Sequence, residues 1–212
     1  MDMKGQYRIP ASRTLVWAAL NDVDVLKAAI PGCDTIQRLS ETEIEATVTA
    51  KIGPVKASFK GQVTLSDIDP PHGYTIRGEG KGGAAGFAKG GAKVRLTEEG
   101  HETVLSYDVD ASVGGKLAQI GARLIDSTAK KLADEFFATF TAIVSERAAQ
   151  GSAASTAEIS QAAAAESSPQ TTMTPASPSV NVPPPITDRR FVWVGAGVVA
   201  LIVLIVWLSS GI

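Results

Sequence analysis

The chain has 212 residues and a formal net charge of -2 at pH 7, a balance that excludes a basic nucleic-acid binder and a strongly acidic protein. A single cysteine, Cys33, excludes an intramolecular disulfide, and residues 1–9 lack the apolar core of a signal peptide. We therefore expect a folded domain that stays in the cytoplasm.

The N-terminal part of the chain predicts one strand and two short helices. Polar and apolar residues alternate over Met3–Ile9, which is a strand pattern. Ser12 is suited to cap a first helix, and Asp22 or Asp24 is suited to cap a second helix that ends at Ala29.

A series of strands follows, most of them with alternating apolar and polar residues. The predicted strands are Thr35–Leu39, Glu43–Ile52, Val55–Leu65, Tyr74–Glu79, Ala92–Thr97 and Thr103–Val113. Such alternation is typical of an antiparallel sheet with one solvated face. Several inward positions are small: Ala46, Ala50, Ala57, Gly61 and Ala111.

The run from Gly115 to Gln150 predicts one long helix, because its apolar residues recur at spacings of three and four. These residues are Leu117, Ile120, Leu124, Leu132, Phe136, Phe140, Ile143 and Val144. A helix this long needs a wide apolar surface to cover it. We therefore predict an α+β domain over residues 1–150, with a curved antiparallel sheet folded around the C-terminal helix.

The remainder of the chain predicts a linker and a membrane anchor. Residues 151–187 are rich in Ala, Ser, Thr and Pro and contain no aromatic residue, so we expect a disordered linker. Residues 188–212 include the uncharged run Phe191–Leu208, which is long enough to cross a bilayer. The basic pair Arg189 and Arg190 on its N-terminal side places the domain in the cytoplasm. A buried core helix is the alternative interpretation of this run.

The residues that could carry chemistry form no convincing catalytic or metal site. The run Gly78-Glu79-Gly80-Lys81-Gly82-Gly83 has the spacing of a dinucleotide-binding loop, but more glycine follows it instead of a helix. A flexible hairpin, or a mobile cavity rim with Phe87 as its apolar tip, fits better. His72 and His101 lie beside turn residues, and Asp108 and Asp110 share the solvated face of their strand. We therefore predict no catalytic residues, no metal and no enzymatic activity.

Several segments carry a resemblance to a known family. They are the opening strand, Val16-Trp17-Ala18-Ala19-Leu20-Asn21-Asp22, Leu26-Lys27-Ala28-Ala29-Ile30-Pro31-Gly32-Cys33, Ile52-Gly53-Pro54-Val55-Lys56-Ala57-Ser58-Phe59-Lys60-Gly61 and the glycine-rich hairpin. With these segments, residues 1–148 resemble the G subunit of carbon monoxide dehydrogenase, a family of the START-like, helix-grip superfamily.

The resemblance implies a helix-grip fold with an internal apolar cavity and a role as an accessory protein. The expected partner is a cytoplasmic carbon monoxide dehydrogenase that contains molybdenum, flavin and iron–sulfur centres. The protein would bring this enzyme to the inner membrane and hold a respiratory quinone, ubiquinone or menaquinone. The residues expected to line the quinone site are Phe59, Gly61, Phe87, Tyr107, Leu117, Ile120, Gly121 and Leu124. Tyr107, or the backbone amides near Gly82–Gly91, would bind the quinone head.

Two other functions remain open on the sequence. The protein could be a purely structural membrane anchor that binds no ligand. It could also be a small-molecule enzyme, since some helix-grip proteins are cyclases or hydrolases.

Overall fold

The computed structural model describes the backbone of residues 2–165 and the side chains through Gly151. The elements are β1 (Asp2–Ile9), α1 (Arg13–Leu20), α2 (Val23–Ala29), β2 (Cys33–Arg38), β3 (Glu43–Ile52), β4 (Val55–Asp69), β5 (Gly73–Lys81), β6 (Phe87–Glu99), β7 (Glu102–Gly114) and α3 (Ala122–Ala165). Single turns of 3-10 helix lie at Gly83–Ala85 and Ala118–Ile120. This order confirms the predicted α+β class.

The strands form one seven-stranded sheet in the order β1-β7-β6-β5-β4-β3-β2. Every neighbouring pair is antiparallel. The first strand in sequence therefore pairs with the last, and the curved sheet together with the long α3 has the helix-grip architecture.

Alternation in the sequence correctly predicts which face of the long strands is buried. In β3 the inward residues are buried and the outward ones are not, and β4 pairs with β3 in continuous register from Ile52 to Glu43. The glycine-rich stretch differs from the prediction. β6 begins at Phe87 instead of Ala92, and its first residues pair with Gly78–Lys81 of β5. Most of this stretch is therefore paired within the sheet, and only residues 82–86 form the turn between β5 and β6.

The two short helices begin at side-chain caps. The Leu15 N–H donates to Ser12 Oγ at 3.4 Å. The N–H groups of Asp24 and Val25 both donate to Asp22 Oδ1, so Asp22 is the cap of α2. Asp22 also pairs with Arg147 Nη1 at 2.8 Å, which ties α2 to α3.

Helix α3 begins later than predicted, at Ala122 instead of Gly115. Gly121 has a φ of +97°, and this left-handed conformation cannot continue into a right-handed helix. Leu117 and Ile120 therefore precede the helix. The prediction that Leu124 faces inward is also wrong, because Leu124 is 40% exposed. The buried face of α3 consists of Ile125, Ala129, Ala133, Phe136, Phe137, Phe140 and Val144.

Helix α3 also ends later than predicted. It continues through Gly151 to Ala165, so residues 151–165 are helical where a disordered linker was predicted. A glycine inside a helix costs only about 1 kcal/mol relative to alanine, which neighbouring alanines can offset. The predicted linker after Ala165 and the predicted anchor at 188–212 lie outside the described residues. Within the described part of the chain, no helix is long and apolar enough to span a membrane.

Candidate functional site

The inner face of the sheet carries two adjoining cross-strand rows of small residues. In the first row Ala46, Gly61, Gly80 and Ala88 are direct partners across β3, β4, β5 and β6. In the second row Gly78, Gly90 and Ala111 are direct partners across β5 to β7, and the larger Val63 of β4 pairs with Gly78 at its end. Sequence analysis identified Gly61 and Ala46 but missed the glycines of β5 and β6. Gly78 and Gly80 fall on alternate residues of β5, and this spacing in the sequence could have identified them as inward-facing.

Gly61 has room for a Cβ on its inner side. The atoms nearest to an ideal Cβ on Gly61 would be Glu79 O at 3.6 Å and Ala46 O at 4.0 Å. Both distances are ordinary van der Waals contacts. Two residues of the buried face of α3, Ala129 and Ala133, are also small. The inner face near Gly61 is therefore apolar and made of small residues.

Phe59 lies beside the first small-residue row, on the side of the β5–β6 turn. The side chain is fully buried. Its ring occupies the position where a Cβ of Gly82 would be, so any side chain at position 82 would overlap it. Phe59 and Gly82 thus form a close contact between β4 and the β5–β6 turn.

Tyr107 belongs to an aromatic stack at the β1 edge. Its ring lies 5.9 Å from Phe137 and 6.1 Å from Tyr7 between centroids, and its hydroxyl lies over Gly5. The Tyr7 hydroxyl in turn donates to Asp134 Oδ1 at 2.6 Å. Burial raises the pKa of Tyr107. The predicted ligand donor is therefore directed toward β1 and its aromatic neighbours.

Tyr74 is a second inward tyrosine, which sequence analysis did not select. It is 2% exposed, and burial raises its pKa. Its hydroxyl oxygen has no hydrogen-bond partner among the described residues. The ring lies 5.4 Å from that of Trp17 in α1. A buried hydroxyl without a partner calls for a water or a ligand carbonyl. Tyr74 lies on the inward side of the predicted strand Tyr74–Glu79, and this position could have identified it from the sequence.

Three connections meet at one end of the domain: the β3–β4 turn, the β5–β6 turn and the segment between β7 and α3. We call residues 52–55, 82–87 and 114–124 the glycine-rich end. Leu117 is fully buried there, and its N–H donates to Ala85 O at 3.0 Å. An ideal Cβ on Gly53 would lie 2.6 Å from Leu124 Cδ2 and 3.8 Å from Ile120 Cγ2. The β3–β4 turn therefore packs against the start of α3.

The predicted site residues divide into two groups. Phe59, Gly61, Tyr107 and Leu117 are on the interior side, whereas Phe87, Ile120, Gly121 and Leu124 are at the surface of the glycine-rich end. Ile120, Gly121 and Leu124 line an open groove of about 550 Å³. Phe87 is 49% exposed, and its ring lies against Gly114 on the outer face of the sheet. Phe87 thus lines neither the groove nor the interior.

The remaining titratable residues singled out in the sequence are away from the interior. Asp108 and Asp110 are exposed, as predicted, and Asp108 pairs with Lys4 Nζ at 2.6 Å. His72 lies 3.4 Å from Asp69, and both side chains are exposed. Burial raises the pKa of the Cys33 thiol. Among the described residues, no group of His, Cys, Asp and Glu has an arrangement that could hold a metal ion.

Comparison with protein families gives one match, over residues 5–145, to the family described as the G subunit of carbon monoxide dehydrogenase, CoxG. This range holds the β-sheet and most of α3. The sequence has no significant match among curated proteins.

Comparison with solved structures shows the same fold in several bacterial proteins. A conserved protein from Geobacillus kaustophilus is similar at 29% identity with a TM-score of 0.65, over 69% of this chain and 96% of its own. A protein from Thermus thermophilus has a TM-score of 0.54 at 12% identity, over 69% of this chain and 99% of its own. The Zhui aromatase/cyclase from a Streptomyces species has a TM-score of 0.52 at 12% identity, over 69% of this chain and 94% of its own. At such low identity the last two show the fold alone.

Proposed function

Because this chain belongs to the CoxG family of carbon monoxide dehydrogenase, we propose that it is a non-catalytic accessory protein of that dehydrogenase. In this proposal it binds a respiratory quinone, ubiquinone or menaquinone, in the apolar interior between the sheet and α3. It also recruits the dehydrogenase to the cytoplasmic membrane.

The observation that carries quinone binding is the pair of small-residue rows on the inner face of the sheet. Ala46, Gly61, Gly80 and Ala88 provide a strip without bulky side chains across four strands. Ligand sites of this kind are mostly apolar, with a few polar groups that fix orientation. An isoprenoid chain would fit the apolar strip.

The quinone head needs hydrogen-bond donors, and Tyr74 is a better candidate than Tyr107. Its buried hydroxyl has no partner among the described residues, whereas the aromatic ring of Tyr107 stacks with Tyr7 and Phe137. A hydrogen bond to a quinone carbonyl would remove the cost of leaving the Tyr74 hydroxyl unsatisfied, about 1–3 kcal/mol.

The buried tyrosines Tyr74 and Tyr107 are suited to donate hydrogen bonds to a ligand. Burial raises the pKa of both Tyr74 and Tyr107, so both remain protonated at neutral pH. They can donate hydrogen bonds but are poor general bases. The similarity to an aromatase/cyclase shows a shared fold, and fold alone does not imply a shared reaction.

Membrane recruitment is proposed from the sequence of the C-terminal part. The uncharged run Phe191–Leu208, preceded by Arg189 and Arg190, would anchor the chain with its domain in the cytoplasm. A soluble dehydrogenase must pass electrons to a lipid-soluble acceptor. A tethered quinone-binding domain would raise the effective concentration of that acceptor beside the enzyme.

Quinone binding is tested by mass spectrometry of lipids extracted from the purified full-length protein. We expect a quinone to copurify with the native protein and to be lost in Gly61→Leu, whose side chain would occupy the small-residue strip. The matched control is Gln62→Leu, which places the same side chain on the outer face one residue away. If no quinone is found with the native protein, or if both variants retain it equally, the interior is not the site.

Membrane attachment is tested separately by deleting residues 188–212. The truncated protein should be absent from the washed membrane fraction and should remain folded. Retention on the membrane in the absence of the dehydrogenase would contradict the anchor. If the native protein is anchored to the membrane but purifies without any quinone, the purely structural role is favoured.

A further inference from the structure

The glycine-rich end carries four basic side chains that form no ion pair with any described residue. Lys51 and Lys56 are direct partners on either side of the β3–β4 turn, whose Gly53 contacts Leu124. Arg123 directly precedes Leu124 in α3. Lys116 directly precedes the buried Leu117. The four cations thus lie in or beside the connections that form the glycine-rich end, and Arg123 also lines the apolar groove.

Other charged side chains near the glycine-rich end do not cancel this charge. Lys60 pairs with Glu45 at 3.1 Å and Lys81 with Glu79 at 3.6 Å, so these residues add no net charge. Two carboxylates flank the four cations. Asp126 follows the first turn of α3, and Asp34 accepts a hydrogen bond from Thr49 Oγ1 at 2.7 Å.

The local balance is therefore positive although the domain as a whole is not. Counting both flanking carboxylates still leaves an excess of two positive charges at the glycine-rich end, whereas residues 1–150 contain one more acidic than basic residue. Positive charge beside exposed apolar side chains is complementary to an anionic bilayer surface.

We propose that the glycine-rich end docks onto the headgroup region of an anionic phospholipid bilayer. Ile120 and Leu124 enter the boundary between headgroups and acyl chains, and the four cations contact lipid phosphates. The inference rests on the membrane recruitment proposed above and adds the orientation of the domain on the membrane.

The side chains at this end suit a lipid surface. Three of the four cations are lysines, whose apolar stems can lie along acyl chains while the ammonium group reaches the headgroup phosphates. Leu124 is 40% exposed beside them, and such an apolar side chain can enter the boundary between headgroups and acyl chains.

Docking at this end has a consequence for ligand transfer. Phe59 is fully buried beside the first small-residue row, and its ring lies against the β5–β6 turn that belongs to the glycine-rich end. An apolar ligand leaving the bilayer would therefore meet the β5–β6 turn and the interior behind it without crossing bulk water.

The orientation is tested on the full-length protein in vesicles that carry a quencher on their lipids. In a Cys33→Ser background, a fluorophore is attached at Gln119→Cys in the glycine-rich end or at His101→Cys. Residue 101 is exposed in the β6–β7 turn, at the other end of β6. Vesicles contain phosphatidylcholine alone or phosphatidylcholine mixed with phosphatidylglycerol. We expect stronger quenching at 119 than at 101, and only in the anionic vesicles.

Charge reversal tests the contribution of the cations, and the same reversal elsewhere on the sheet is the matched control. Lys51→Glu with Lys56→Glu changes the local charge by four units, and each unit alters partition to an anionic surface about five-fold. Docking should fall by more than about a hundred-fold, and quenching at 119 should drop to the level seen in neutral vesicles. Lys89→Glu with Lys93→Glu makes the same change in net charge on the exposed outer face of β6 and should leave quenching intact.

The outcomes separate this inference from the broader proposal. Failure of the protein to sediment with either vesicle overturns both membrane recruitment and docking. Sedimentation with equal quenching at 119 and 101, or with quenching that survives the Lys51 and Lys56 reversal, overturns the orientation alone. Unchanged quenching together with loss of dehydrogenase copurification would assign the cations to an acidic protein partner instead.

Discussion

Substitutions at Gly61 distinguish an open interior from a filled one. The nearest atom to an added Cβ would be Glu79 O at 3.6 Å, so Gly61→Ala fits without displacement. Replacing glycine by alanine at a compatible position stabilises by about 0.4–1 kcal/mol, because the unfolded chain loses conformational freedom. For a domain of this size we expect Tm to rise by about 1–4 °C.

The larger Gly61→Leu variant measures the space beyond that first carbon. In a filled core it should cost about 1–3 kcal/mol and lower Tm by several degrees. In an open interior the added carbons would be buried without displacing neighbours, at a gain of roughly 0.8 kcal/mol per CH₂. Tm should then hold or rise, while quinone binding is lost.

Thermal unfolding followed by circular dichroism, with lipid removed, is the assay. Gly82→Ala is the control for overfilling, because its Cβ would overlap the buried Phe59 ring and must lower Tm. A marked loss of stability in Gly61→Ala would refute the geometry of the strip. Strong destabilisation by Gly61→Leu would show that the interior is already full. Gly121 is unsuitable for the same test because its φ of +97° would strain any side chain.

Three further predictions concern the packing of the domain. Phe137→Ala removes a buried ring that stacks on Tyr7 with centroids 3.9 Å apart, and should cost about 3–5 kcal/mol in denaturant unfolding, whereas the exposed Phe87→Ala should cost less than about 1 kcal/mol. Asp22→Ala removes the α2 cap and the partner of Arg147, and should cost about 1–2 kcal/mol near neutral pH. Burial opposes ionisation of Asp22, but hydrogen bonds from Arg147 and the α2 amides outweigh it and lower the pKa of Asp22. The difference in unfolding free energy between native protein and variant should therefore shrink as pH falls below the ordinary range of an aspartate. A difference that persists in acid would contradict this. Because burial raises the pKa of Cys33, its alkylation near neutral pH should be slower in the folded than in the unfolded protein, and equal rates would show that the thiol is accessible.

The sequence predicted the elements whose local signals agree with the fold. Alternation over Glu43–Ile52 gave both the bounds and the buried face of β3, because a strand buried on one side must place every second residue inward. Ser12 and Asp22 marked the starts of α1 and α2, because their side chains satisfy amides that a helix terminus leaves free. The motifs in residues 26–33 and 52–61 predicted the family, which the match over residues 5–145 confirms.

The bounds and phase of α3 were decided by tertiary structure. Periodicity placed Leu117, Ile120 and Leu124 on one helical face, but a helix period does not show where the backbone leaves the helical conformation. The positive φ of Gly121 separates the first two from α3, and Leu124 is 40% exposed near the Gly53 turn. The four cations come together at one end only because these connections meet there.

The composition of the interior was likewise divided between sequence and structure. The sequence by itself determined that apolar and small residues face inward, since that follows from alternation along each strand. Which of them become neighbours depends on the register between strands, and only the register aligns Gly61 with Gly80 and Ala88. The sequence also could not show that Tyr107 is directed toward Gly5 and Tyr7, or that the Tyr74 hydroxyl is buried without a partner among the described residues. Such contacts join residues far apart in the chain, and their geometry is set only when the sheet closes around α3.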